Sequence, residues 1–198
     1  VDHLLPLDDG APPDGWELHV EVMELAHLLR ARPETVPTAP WLTAEPMPLA
    51  RDGRLEVGLA WHVSDWAPER SIPLDVLAPL LALDGVRWHA LQRGPALDAW
   101  DPGWGPVSGD DDPLVAAGAM RAMDLVVSVD SFPVHLAGAV GVPAWVLLPE
   151  PSDWRWMDAR TDSPWYPRAR LFRQASPGDW GSVVRAVREA LSALSALG

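Results

Sequence analysis

The sequence predicts an α/β protein built on a doubly wound, mostly parallel sheet with helices on both faces. Two observations carry that reading. From Leu55 to the end, short apolar runs of strand length alternate with helix-length amphipathic segments. The 15 glycines and 22 prolines fall between those segments, where they punctuate loops.

The elements follow in order. Trp16 to Val22 alternates in part and reads as a short strand, and Glu24 to Arg30 as a short helix with Leu25, Leu28 and Leu29 on one face. Arg32 to Met47 contains Pro33, Pro37, Pro40 and Pro46, so an extended linker is expected there. LEVGLAW (55–61) is a strand and 62–70 a loop. Ser71 is the expected N-cap of a helix running to about Leu83, with Asp75 in its first turn. VRWHAL (86–91) is a strand and 94–109 a loop. A helix at 113–123, begun by the Asp110-Asp111-Asp112 run, precedes a strand at 125–129. A helix at 132–140 and a strand at 144–148 follow, then a long aromatic loop at 149–167 and a short strand at 170–173. Ser176-Pro177 reads as cap and first position of the last helix, which places Val183, Val184, Val187, Leu191 and Leu194 on one face.

The 198 residues suit one large domain or slightly more, and 48% hydrophobic residues supply a core. A net charge of −13 argues against a basic nucleic-acid-binding surface, while leaving room for a small anionic ligand at a helix N-terminus. There are no cysteines, which excludes disulfides and thiolate metal sites and agrees with a cytoplasmic location. No apolar run reaches membrane-spanning length and no signal peptide is recognised. The chain begins with Val, so a fragment or a trimmed form is expected. Most of the twelve tryptophans are expected to fill core and loop-packing positions.

In a sheet of this kind, ligands sit beyond the carboxyl ends of the strands. Asp130-Ser131 stands at such an end, with Phe132 opening a helix and His135 one turn into it. The first-turn amides and Ser131 can receive a phosphate, while Asp130 is better used to hold amides or a ribose hydroxyl. The plainer alternative makes Asp-Ser a capping pair and His135 a partly buried helix residue. Trp61-His62-Val63-Ser64 and Leu91-Gln92-Arg93 follow two other strands to the same mouth. Neither matches a glycine-rich dinucleotide or phosphate-loop fingerprint, and His62, His89 and His135 lack ligand-like spacing, so no metal is expected.

The ordered series GLAW (58–61), RSIPLDVLAPLLAL (70–83), HALQRGP (89–95), MDLVVSVDS (123–131), HLAGAVGVPAWVLLP (135–149), DWRW (153–156), DSPWYP (162–167) and LFRQASPGDW (171–180) resembles the C-terminal half of bacterial glycosyltransferases. These are the enzymes found behind tetratricopeptide repeats and related to the lipopolysaccharide heptosyltransferases. The resemblance covers about 55–194, and WELHVEVMELAHLL (16–29) resembles the end of the same family's N-terminal domain. It implies a GT-B-like fold. Residues 51–198 would be a Rossmann-like nucleotide-sugar-binding domain, and 1–50 a remnant of the acceptor-side domain with a linker.

The resemblance also implies a metal-independent transferase with no cofactor beyond its nucleotide-sugar donor, and a protein, lipid or glycan acceptor. The donor site would be lined by Trp61, His62, Ser64, Arg70, Ser71, Gln92, Arg93, Asp130, Ser131, Phe132 and His135. Ser131 and helix amides would hold the diphosphate, and Gln92 would lie near the base or ribose. The catalytic base would come from a missing domain or from a partner chain, by self-association or otherwise. The chain departs from the family in HVSDWAPE after Trp61, Val115-Ala116 for Asp-Thr, Phe132-Pro133 for smaller residues and Glu24 for Ser. The alternatives are a truncated, non-catalytic binding or scaffold relative, and a nucleotide-sugar epimerase of the same shape.

Overall fold

The computed structural model describes residues 20–32, 34–63 and 67–195. The chain divides into two compact units, Val1–Val36 and Pro37–Gly198. In the first, a 3-10 turn (Val22–Glu24) leads into one helical turn, α1 (Leu25–Leu28). Val22, Met23, Leu28 and Leu29 are exposed there. The expected strand at 16–22 is not found in its described part, since Val20 and Glu21 are coil; Trp16–His19 lie outside the described residues.

The second unit contains β1 (Leu55–Ala60), α2 (Leu74–Leu81), β2 (Val86–Ala90), α3 (Pro113–Arg121), β3 (Leu125–Val129), α4 (Phe132–Ala139), β4 (Ala144–Leu148), β5 (Ala169–Arg173) and α5 (Trp180–Ser195). The five strands form one sheet in the order β2-β1-β3-β4-β5, and every pairing is parallel. Side-chain alternation splits the strands between two cores. Val57, Leu59, Trp88, Val127 and Leu147 pack on the α2 and α5 side with Leu77, Leu80, Val187 and Leu191. Val126, Ala144 and Val146 pack on the α3 and α4 side with Ala116, Met120, Val134 and Ala137. Because both faces are covered, the strands read as nearly continuous apolar runs. The second core is built of small residues because its layers approach closely. A Cβ on Gly58 would meet Leu91 Cδ1 at 2.5 Å and the Met123 sulfur at 2.8 Å.

The proline-rich stretch is not extended throughout: Thr35 N and Val36 N donate to Arg32 O in a turn, and from Pro37 the chain is extended and docked. Trp41 N and Leu42 N donate to Ala139 O, and Met47 N to Gly118 O at 2.9 Å. Two caps differ from expectation. Ser71 does not cap α2: Pro73 holds that position without a side-chain cap, and Ser71 Oγ accepts from Val63 N at 3.0 Å. Ser176 does not cap α5, which starts at Trp180; Asp179 Oδ1 accepts from Ser182 N at 3.1 Å. The acidic run does cap α3, through Asp112 Oδ1 and Leu114 N at 2.8 Å. No helix among the described residues is long and apolar enough to cross a membrane.

Candidate functional site

The carboxyl ends of β1 and β2 are tied together by one amide side chain. Gln92 Oε1 accepts from Trp61 N at 3.1 Å and His62 N at 2.9 Å, while its Nε2 donates to Arg93 O at 3.0 Å. Gln92 is buried, so these bonds replace water and fix the turn after β1 against that after β2. The turns frame a cleft of about 920 Å³ walled by Trp61, His62, Ser71, Leu74, Arg93 and Pro95. Trp61 is held flat by stacking on Trp100, with ring centroids 5.4 Å apart. A smaller cleft of about 230 Å³ lies between His62, Gln92, Arg93, Asp110, Ser131 and Phe132. The two share His62, Gln92 and Arg93. Arg93 Nε bonds Asp111 Oδ1 at 2.9 Å, and that hydrogen-bonded pair holds the Asp111 carboxyl below its ordinary range.

Behind the clefts, the start of α4 is organised inward. Asp130 is 1% exposed, and its Oδ2 and backbone carbonyl both accept from Arg70. His135 Nε2 lies 3.4 Å from Asp130 Oδ1, close enough for charge attraction, yet that oxygen has no regular hydrogen bond. His135 Nδ1 meets the Tyr166 hydroxyl at 3.0 Å, and its ring stacks on Trp156 at 5.5 Å. Burial opposes ionisation of Asp130, but His135, the Arg70 charge and the Trp156 indole outweigh it and hold the carboxyl below its ordinary range. Burial pushes the Tyr166 hydroxyl up.

The expected site residues therefore fall into two groups. Trp61, His62, Ser71, Gln92, Arg93, Ser131 and Phe132 line the clefts. Arg70, Asp130 and His135 form the inward network, and Asp130 is occupied by side chains instead of backbone amides. Ser64 lies outside the described residues. Ser131 occupies the N-cap position without a side-chain cap bond; its hydroxyl makes long contacts to Val129 O (3.3 Å) and Ser128 Oγ (3.2 Å). Fewer first-turn amides are free than expected: Pro133 has none, and Val134 N donates to Ser131 O at 3.1 Å. Sequence reasoning missed Trp156 and Tyr166 as partners of Asp130 and His135. Their signal was the density of aromatics in the 149–167 loop.

A parallel sheet with clefts at its carboxyl ends, beside a helix N-terminus, is the architecture of nucleotide-binding α/β domains. The solved structures it superposes on narrow this to a GT-B-like fold. A family 9 glycosyl transferase from Veillonella parvula matches with a TM-score of 0.55 at 19% identity, over 75% of this chain and 48% of that one. The E. coli ADP-heptose lps heptosyltransferase II matches with a TM-score of 0.55 at 18% identity, over 74% and 48%. E. coli heptosyltransferase WaaC with ADP gives 0.50 at 20% identity, over 73% and 46%. No family model matches the chain. Protein FlbA of Caulobacter vibrioides is 30% identical over 154 residues, 68% of this chain and 25% of FlbA. The chain thus spans about half the length of those solved structures and a quarter of FlbA.

Proposed function

We propose that the second unit is the donor-binding half of a metal-independent glycosyltransferase, transferring a sugar from a nucleotide-sugar to a protein, lipid or glycan hydroxyl. The observation that carries this is the pair of joined clefts at the carboxyl ends of β1–β3, in a fold shared with heptosyltransferases. The larger, mainly apolar cleft takes the base and ribose. The smaller one takes the diphosphate, which meets Arg93, His62 and the Ser131 hydroxyl. With no metal, the departing diphosphate must be neutralised by such donors, since charge stabilisation at the leaving group lowers the barrier. Pro133 thins the helix amides, so side chains carry more of that task here. Arg70, Asp130 and His135 support the site from behind by fixing the entry to α4.

A second reading, a non-catalytic binding or scaffold protein, is favoured by one feature: Arg93 is already paired with Asp111 at the mouth of the clefts. Calorimetric titration with ADP, UDP and GDP separates the two. Saturable binding of one nucleoside diphosphate, weakened by Ser131→Ala and Arg93→Ala, is expected. Absence of binding to all three would leave the scaffold reading.

A further inference from the structure

A second polar constellation, of residues not assigned to the donor, lies on the α3 side of the sheet, in a cavity that shares Gly109 and Asp110 with the smaller cleft. His89 of β2 is 1% exposed and Glu56 of β1 is fully buried, yet both face into an otherwise apolar layer. Glu56 Oε2 lies 2.7 Å from His89 Nε2, and Ser108 Oγ lies 2.9 Å from His89 Nδ1. With Glu56 accepting from Nε2–H, the Nδ1 lone pair is the one placed to receive the Ser108 hydroxyl. That is a nucleophile, a base and an orienting acid, connected in that order.

The backbone holds Ser108 rigidly. The segment before it returns along β2, with Ala90 N donating to Pro106 O and the Ser108 and Gly109 amides donating to Ala90 O. Two glycines permit the approach. A Cβ on Gly105 would stand 1.8 Å from Trp88 O, and one on Gly109 would stand 2.6 Å from Leu91 O. Ser108 is half-buried and lines a cavity of about 230 Å³ with Met47, Leu49, Val107, Val115 and Ala119. Asp110 borders this cavity as well as the smaller cleft, and the remaining walls are mostly apolar, which suits an uncharged guest.

We propose that Ser108, His89 and Glu56 form an acyl-transfer site for small, neutral carboxylic esters. Ser108 Oγ attacks the ester carbonyl carbon and passes its proton to His89 Nδ1. The new Oγ–C bond forms, the ester C–O bond breaks, and the departing alcohol takes the proton from His89. Water, deprotonated by His89, then cleaves the acyl-serine to the carboxylic acid and restores Ser108. Glu56 is a positioning residue: it holds the tautomer and stabilises the imidazolium that forms. The Ser108 and Gly109 amides are both spent on Ala90 O and offer no oxyanion pocket, so turnover is slow and the covalent step is the clearest readout.

The test treats the full chain with an alkyl fluorophosphonate probe and with p-nitrophenyl acetate, followed by intact mass and peptide mapping. One adduct on Ser108 is expected, absent in Ser108→Ala and formed at least about ten-fold more slowly in His89→Gln. Absence of a Ser108 adduct overturns the proposal, as does equal labelling of a folded His89→Gln chain. Should His89→Gln fail to fold, Glu56→Gln decides, and a folded Glu56→Gln chain that labels Ser108 as fast as the parent overturns it. Nucleotide binding plays no part in these outcomes.

Discussion

Two groups of polar residues sit at the same end of the same sheet and behave oppositely. In the network behind α4, Arg70, Asp130, His135 and Tyr166 are turned toward one another, and Asp130 is removed from water. At the clefts, His62, Arg93 and Ser131 are partly or fully exposed, and the Arg93–Asp111 pair lies on the surface. The difference teaches that placement at a strand's carboxyl end does not make a side chain a ligand contact. Burial decides whether its charge is used up by the fold or left for a guest.

The sharpest way to break that contrast is Asp130→Ala. It removes the buried carboxylate that Arg70 and His135 face, and breaking a buried ion pair costs about 3–5 kcal/mol, so thermal melting should show a large drop. A melting point equal to the parent's would dissolve the distinction between the groups. The same carboxylate gives a pH dependence. Its folded pKa is depressed, so its contribution is complete above the unfolded value of about 3.9 and is lost as pH falls through the lower folded value. Acid unfolding followed by tryptophan fluorescence should therefore begin at higher pH in weakened variants such as His135→Ala than in the parent.

Gly138→Ala comes next. The new methyl would stand 2.3 Å from Tyr166 Cδ1, so the ring that holds His135 must move. Overpacking of this kind costs about 1–3 kcal/mol, readable by urea denaturation. Ser131→Ala should do the reverse: roughly ten-fold weaker nucleoside diphosphate binding, the equivalent of about 1.4 kcal/mol, with stability within about 0.5 kcal/mol of the parent. His135→Ala should lower both, because the ring stacks on Trp156 and bonds Tyr166. Arg93→Ala is expected to change stability least, since its pair with Asp111 is exposed, and to show only in binding and its salt dependence.

The sheet was largely legible. β3 and β4 have the bounds that their apolar runs suggest, and β1, β2 and α4 end within a residue of expectation. The caps of α2 and α5 were not. Ser71 and Ser176 have good capping chemistry, but Ser71 is drawn off to Val63 N, and Gly178, at φ 83°, turns the chain so that Asp179 meets the first turn of α5. For the site, the residues near the clefts could be named because they follow strands. Their division into inward and open groups could not, because Trp156 and Tyr166 reach His135 of α4 from a separate loop, Tyr166 lying 31 residues along the chain from it.

What the sequence determined by itself is local and periodic: strand runs, helix faces and the turns that place Trp61, Arg93 and Ser131 at one end of the sheet. The ordered motifs also led to the GT-B-like fold that the solved heptosyltransferase structures share. Only the tertiary structure decided which polar groups meet. Glu56, His89 and Ser108 are far apart in the chain and carry no spacing signal, yet parallel pairing of β1 with β2 and the return of the 105–109 segment along β2 bring them within hydrogen-bond distance. Local pattern records which face a side chain takes. Contacts between distant segments depend on register and close backbone approach, which are set when the layers pack.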